Sequence, residues 1–144
     1  MSADVYAGDV SAQEAWDLLS SDSSAVLVDC RTRPEWSFVG IPDLSALEAK
    51  AIFTEWQVFP SMQVNAEFAA QLRTGGTDPD ADRAPLLFIC RSGVRSKAAA
   101  IAMTQAGFGP CYNVSGGFEG PLDGNKHRGG SDGWKAASLP WIQE

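Results

Sequence analysis

The chain has 144 residues, a formal net charge of −7, a hydrophobic fraction of 44% and a charged fraction of 20%. These values are typical of one soluble globular domain, here residues 1–144, whose core needs neither disulfide nor metal support. The acidic balance argues against a nucleic-acid surface, and the lack of an 18-residue apolar run argues against a membrane span.

The first third of the chain alternates strand and helix patterns. Residues 5–7 form a weak strand pattern, and Ser11 followed by Glu14 predicts a capping box that starts a helix. Residues 25–28 are a β-branched run typical of a strand buried on both faces of a parallel sheet. Residues 34–38 then predict a single helical turn that begins at a proline.

The middle of the chain is less distinct. Residues 40–42 predict a turn, and residues 50–55 predict a third strand, although residues 46–51 are also compatible with a helix. Asn65 is the predicted cap of a helix that ends near Arg73.

The last strand and helix patterns are the clearest. A polar loop over residues 74–84 leads to a central strand at 86–89. A helix begins near Ser96, covers residues 97–105 and has its C-cap at Gly107.

The final strand is predicted at residues 111–114. A glycine-rich excursion follows over 121–133, and an apolar tail over 134–141 is expected to dock back. This alternation predicts an α/β sandwich, with a mostly parallel five-stranded sheet and helices on both faces. In such sheets, ligands bind beyond the carboxyl ends of the strands.

The segment around Cys90 carries most of the chemistry. The central strand runs directly into this thiol, and a short loop with Arg91, Gly93 and Arg95 leads into the next helix. Unpaired N–H groups and the dipole at a helix start favour an anion there, so the pattern predicts a nucleophilic thiolate. The alternative is a buried structural cysteine.

The other two cysteines form no paired spacing with Cys90. The odd count argues against a disulfide framework or zinc site; with no visible signal peptide, it predicts a reducing, cytoplasmic location. Cys30 is expected in the core, with a resolving thiol as the alternative. Cys111, at the opposite end of the sheet, is expected to be inert.

Three further side chains are candidate site residues, and each also has a simple structural explanation. His127, the only histidine, is expected on the surface, although its loop could cover the pocket. Trp36 and Trp134 are expected to pack in the core or at its edge, or to form pocket walls.

Several segments together resemble the rhodanese superfamily of sulfurtransferases. The matching segments are residues 28–36, 40–42, 90–96, 107–108, 113–114 and 116–117. The resemblance implies a three-layer rhodanese-like sandwich without metal or cofactor. Two departures are a missing histidine in the turn at Gly40, which affects local packing, and the long 121–133 excursion.

The resemblance implies that Cys90 takes sulfur from a donor as a persulfide and passes it to a thiol or cyanide. The backbone N–H groups expected to cradle the sulfur belong to Arg91, Ser92, Gly93, Val94, Arg95 and Ser96.

Loop length separates this chemistry from a similar one. Four residues lie between Cys90 and Arg95, whereas phosphatases that resemble this fold have five because phosphate is wider than sulfur. A phosphatase or arsenate reductase is therefore the less favoured alternative.

The predicted substrate follows from charge. Arg91 and Arg95 would suit a small anionic donor such as thiosulfate, and the acceptor is expected to be a small-molecule thiol or a protein such as thioredoxin. The other hypothesis is a relay or regulatory module loaded by a partner protein. Asp29 and Arg31 are expected to form an ion pair that either fixes the loop or stabilises the fold.

Overall fold

The computed structural model describes residues 5–77 and 84–143. In chain order its elements are β1 (Gly8–Val10), α1 (Ala12–Ser21), β2 (Val26–Asp29), α2 (Arg33–Val39), β3 (Ile41–Pro42), β4 (Lys50–Phe53), β5 (Gln57–Val58), β6 (Gln63–Val64), α3 (Phe68–Thr74), β7 (Leu86–Ile89), α4 (Val94–Gln105), β8 (Cys111–Val114) and β9 (Trp141–Ile142). Five strands form a wholly parallel sheet in the order β1-β8-β7-β2-β4, which confirms the predicted class.

Alternate residues of the central strands face two separate apolar cores. In β7, Leu87 and Ile89 pack with α1 on one face, while Leu86 and Phe88 pack with α3 and α4 on the other. All four side chains are at most 1% exposed, as the unbroken apolar run predicts. The side chain of Cys90 belongs to the α3–α4 face.

Three element starts differ from the sequence prediction. The first strand lies at Gly8–Val10 instead of residues 5–7, because it is Gly8–Val10 that pairs with β8. Helix α3 begins at Phe68 with Glu67 as its cap, because the carbonyl and side chain of Asn65 form a turn before the helix. Helix α4 begins at Val94, two residues before Ser96, because Gly93 turns the chain with a φ of 104°.

The turn predicted at residues 40–42 is instead a strand pair. Ile41 and Pro42 form β3, which is antiparallel to β9 in the carboxyl-terminal tail. Gly40 has a φ of 112°, and a Cβ atom there would lie 2.7 Å from the Trp141 ring. The tail therefore docks back as predicted, and Trp134 in it is fully buried.

The capping box at Ser11 and Glu14 is confirmed, and the strand predicted at residues 50–55 is β4. Most of the loop predicted at residues 74–84 lies outside the described residues. Within the described part of the chain, no helix is long and apolar enough to cross a membrane. The same residues contain no cluster of three metal-ligating side chains.

Candidate active site

Cys90 follows β7 at the carboxyl edge of the sheet and lines a pocket of about 620 Å³. The residue is only 1% exposed, so the thiol is reached through this pocket. The pocket is also lined by Arg91, Ser92, Val94 and Arg95 of the loop and by Glu35, Met62 and Glu119 from three other segments.

Two backbone amides of the loop point at the Cys90 sulfur. The N–H groups of Gly93 and Ser96 donate to Sγ at 3.2 and 3.3 Å. Gly93 is the N-cap of α4 and has no side chain that could accept a hydrogen bond from the N–H groups of the first turn. The Cys90 sulfur accepts from these groups instead. Ser96 is the third residue of the helix, and its amide is one of those that lack a partner within the helix.

A buried polar chain fixes the side chain of Ser96. Its Oγ lies 3.2 Å from the Cys90 sulfur and donates to Asn113 Oδ1 at 2.6 Å. The Asn113 amide in turn donates to Asp9 Oδ1 at 3.0 Å, which sets the orientation of the amide. The sequence did not mark Asn113 as a site residue, because Asp9 reaches it only through the pairing of β1 with β8 and Ser96 only through the packing of α4 on β8.

The segment after β8 holds the backbone of the active-site loop from behind. Phe118 N–H donates to the Cys90 carbonyl at 2.8 Å, and Glu119 and Gly120 N–H donate to the Arg91 carbonyl at 3.0 Å each. A Cβ on Gly117 would lie 2.4 Å from that same Arg91 oxygen. The double glycine therefore allows two backbones to approach closely.

Arg95 is held by a carboxylate that the sequence analysis did not single out. Its two terminal nitrogens donate to the two oxygens of Glu35 at 2.7 and 3.0 Å. Burial opposes the charged form of Glu35, but the hydrogen bonds and charge of Arg95 outweigh it and lower the pKa to about 2. Glu35 stands three residues after Thr32, a capping-box spacing that could have marked it.

Asp29 and Arg31 form a fully buried ion pair. Arg31 donates to both carboxylate oxygens at 2.9 and 2.6 Å, and its Nη2 also donates to the Gly40 carbonyl at 2.8 Å. Its guanidinium carbon lies 4.2 Å from the centre of the Phe118 ring. Among the described residues, Phe118 links the pair to the active-site loop, because its ring packs on Arg31 and its N–H donates to the Cys90 carbonyl.

Cys30 lies beside Cys90 at the end of the neighbouring strand, but its surroundings differ. It is fully buried, and its thiol donates to the Ile89 carbonyl at 3.4 Å. Burial, followed by the negative charges of Cys90 and Asp29, raises the pKa of Cys30 well above its usual value. These features agree with the expected core position.

The remaining candidates lie away from the sulfur. Cys111 is buried at the start of β8, the opposite end of the sheet from Cys90. His127 is exposed, and its N–H donates to Asp123 Oδ1. Neither Trp36 nor Trp134 is among the described residues that line the Cys90 pocket: Trp36 packs edge-on against Phe53, and Trp134 is in the core.

A parallel five-stranded sheet with a cysteine loop at its carboxyl edge is the architecture of a rhodanese-like domain. The family model described as the STR4 middle domain matches residues 7–144, and the chain belongs to this family.

The chain resembles several individual proteins. It is 41% identical over 128 residues to the Uncharacterized protein RC0915 of Rickettsia conorii, covering 89% of this chain and 91% of that protein. It is 28% identical to the Rhodanese-like domain-containing protein 4, chloroplastic, of Arabidopsis thaliana, covering 92% of this chain but 25% of that protein.

Two solved structures are similar. The crystal structure of Rv0390 from M. tuberculosis has 47% identity and a TM-score of 0.85, covering 97% of this chain and 100% of that one. The solution structure of the polysulfide-sulfur transferase homodimer from Wolinella succinogenes has 22% identity and a TM-score of 0.62, covering 99% and 81%. This second likeness supports the shared fold.

Proposed function

We propose that the protein is a sulfurtransferase that carries sulfane sulfur as a persulfide on Cys90. The Cys90 thiolate attacks the outer sulfur of a donor such as thiosulfate, the sulfur–sulfur bond breaks, and sulfite leaves with the bonding electrons. A thiol or cyanide then attacks the terminal sulfur of the persulfide and restores the thiolate. No cofactor enters these two steps.

The direction of the loop amides is the observation that supports this proposal. A thiolate and a persulfide both place negative charge beside the N–H groups of Gly93 and Ser96. The first turn of α4 adds the positive end of its dipole at the same place. A site that stabilises both species favours a persulfide that lasts until an acceptor arrives.

Intact-mass spectrometry tests the proposal directly. Wild-type protein incubated with thiosulfate is expected to gain about 32 Da, the mass of one sulfur atom, and to lose it on addition of cyanide. Cys90→Ser is expected to show no gain while keeping its far-ultraviolet circular dichroism, and Cys30→Ser to behave as wild type. A sulfur adduct on the folded Cys90→Ser variant would contradict the proposal.

The pairing of Arg95 with Glu35 favours a second function, in which a partner protein loads Cys90. Since this guanidinium already binds a carboxylate, a free anionic donor is left chiefly with Arg91. A relay module is expected to gain the sulfur adduct from a cysteine desulfurase and to gain none from thiosulfate alone. The same mass measurement, with each donor in turn, separates the two functions.

A further inference from the structure

The side chain of Asn113 on β8 is held in one orientation by its partners. Asp9 is exposed, and an ionised carboxylate accepts hydrogen bonds without donating any. The NH2 group of Asn113 therefore faces Asp9 Oδ1 at 3.0 Å, and its carbonyl oxygen Oδ1 faces Ser96. The Tyr6 hydroxyl donates to the same Asp9 oxygen at 2.8 Å and holds the carboxylate in place. Asp9 thus sets the direction of a polar chain that runs from the surface to the buried Ser96.

The direction of this chain determines which side of Ser96 Oγ faces the Cys90 sulfur. Ser96 is fully buried, and its single hydroxyl proton is donated to Asn113 Oδ1 at 2.6 Å. The sulfur lies 3.2 Å from the same hydroxyl oxygen and therefore meets its lone pairs. A neutral thiol can donate its proton to these lone pairs, whereas they repel a negative charge on Sγ. The Ser96 hydroxyl thus opposes the loop amides, which favour an anion at Sγ.

The two anionic states of Cys90 carry their charge on different atoms. In the thiolate the charge is on Sγ, directly beside Ser96 Oγ. In the persulfide most of the charge is on the outer sulfur, one sulfur–sulfur bond of about 2 Å away from Sγ. Because electrostatic repulsion weakens with distance, the Ser96 lone pairs destabilise the thiolate more than the persulfide.

We propose that Asn113, oriented by Asp9, is a positioning residue that favours the sulfur-loaded form of Cys90 over the empty thiolate. This inference rests on the proposed function. During discharge, cyanide attacks the outer sulfur and leaves with it as thiocyanate. The sulfur–sulfur bond breaks, and its electron pair returns to Sγ, opposite the Ser96 lone pairs. The polar chain therefore slows discharge and prolongs the lifetime of the persulfide.

Asn113→Leu tests the effect on the thiolate without any sulfur donor. A leucine side chain accepts no hydrogen bond, so the buried Ser96 hydroxyl turns to the Cys90 sulfur, the other hydrogen-bond partner that the structure gives it. The ratio of thiolate to thiol at Cys90 is expected to rise about three- to tenfold. The measurement is the 240-nm absorbance that iodoacetamide removes, taken at the pH where half of the wild-type signal is present.

Discharge of the loaded protein tests the effect on the persulfide. Protein loaded with thiosulfate and freed from excess is mixed with cyanide, and the loss of about 32 Da is followed with time. Asn113→Leu is expected to discharge about three- to tenfold faster than the wild type, because the freed hydroxyl stabilises the charge that returns to Sγ. A loop that is merely loosened would instead lower the thiolate ratio, since the amides of Gly93 and Ser96 would move away from the sulfur.

Two further variants keep the buried chain intact or restore it. Asp9→Leu changes an exposed residue and allows the Asn113 amide to turn over, so it is expected to shift both measurements in the same direction by a smaller factor. Asp9→Asn combined with Asn113→Asp exchanges donor and acceptor: the new amide at position 9 donates to the new carboxylate at position 113, which still accepts from Ser96. This double variant is expected to show no more thiolate than the wild type.

Gln13→Leu is the matched control. The Gln13 amide also donates to an aspartate, Asp17, at 3.0 Å, but it does so on the exposed surface of α1, so its loss is expected to change neither measurement.

A folded Asn113→Leu variant with the wild-type thiolate ratio or a lower one would overturn the inference, and so would one that discharges at the wild-type rate. If Asn113→Leu does not fold, Asp9→Leu decides by the same two measurements. Failure of the proposed function has a different outcome, in which Cys90 gains no sulfur mass from any donor while the thiolate ratio still rises in Asn113→Leu.

Discussion

Cys30 and Cys90 occupy equivalent places in the sheet and have different chemical environments. Each follows a central strand, the two strands pair in register through Asp29 and Ile89, and both cysteines face the α3–α4 core. Yet the Cys30 thiol donates to a carbonyl, while the Cys90 sulfur accepts from two amides. Position at the sheet edge alone therefore does not determine the hydrogen bonds that a cysteine sulfur makes.

The difference comes from the helix that follows each cysteine. At the start of α2, the N–H groups of Thr32 and Arg33 are taken by the carboxylates of Glu35 and Glu55. At the start of α4, Gly93 supplies no capping side chain, and the sulfur receives the amides. The amides at a helix start can donate to a neighbouring sulfur only when the side chains of the helix itself leave them unpaired.

The largest expected effect is the difference in reactivity between the two thiols. Iodoacetamide at neutral pH should alkylate Cys90 and leave Cys30 unmodified in the folded protein, because Cys90 lines the pocket whereas Cys30 does not, and the pKa of Cys30 is raised. Peptide mapping of the alkylated protein measures this. A Cys30→Ala variant should be alkylated at the wild-type rate. Alkylation of Cys30 in the folded protein would contradict the predicted difference in reactivity between the two thiols.

The next effect concerns the glycine that turns the amides toward the sulfur. In Gly93→Ala the new Cβ would lie 2.3 Å from the Ser115 carbonyl oxygen, at a φ of 104°. We expect persulfide formation to fall at least about tenfold and the free energy of unfolding to drop by about 1–3 kcal/mol.

Gly107→Ala is the control for that substitution. Gly107 also has a positive φ, 91°, but a Cβ there meets nothing within 4 Å. This variant should lose about 1 kcal/mol of unfolding free energy in urea titrations and keep its activity. Equal activity losses at both glycines would show that backbone strain alone explains the result.

A smaller effect is expected from the hydroxyl beside the sulfur. Ser96→Ala keeps the amide that donates to Sγ but removes the hydroxyl that donates to Asn113 Oδ1 and anchors the first turn of α4, so persulfide formation should slow about three- to tenfold. Stopped-flow loading with thiosulfate measures the rate. Thr104→Ala, which removes a hydroxyl near the far end of α4, should leave that rate unchanged.

The smallest effect is on acid stability. The pKa of Glu35 is lowered from 4.5 to about 2. The ionised Glu35 therefore stabilises the folded state fully above pH 4.5, and this stabilisation is lost as the pH falls toward 2. The difference in urea midpoint between the wild type and Glu35→Gln should therefore shrink over that range. A constant difference from pH 6 to pH 2 would contradict the assigned pairing with Arg95.

The loop was predictable from the sequence because its determinants are local. The apolar run before Cys90, the glycine three residues later and the alanine-rich helix together predict a strand, turn and helix start. Its supports were not predictable, because they come from distant segments: Glu35 reaches Arg95 across 60 positions, and the Phe118 amide reaches Cys90 only through the packing of the loop after β8. Local spacing contains no information about such partners.

The packing of the Trp141 ring against Gly40 has a consequence for protein engineering. A residue with a side chain cannot be introduced at Gly40 while Trp141 keeps its place, since its first carbon would meet the indole at 2.7 Å. A smaller residue at Trp141 would not be enough, because the same carbon would lie 2.9 Å from the Ile142 carbonyl oxygen at a φ of 112°. Gly40 and the β9 strand are therefore coupled, and a redesign of the turn at Gly40 has to include the carboxyl-terminal tail that packs on it.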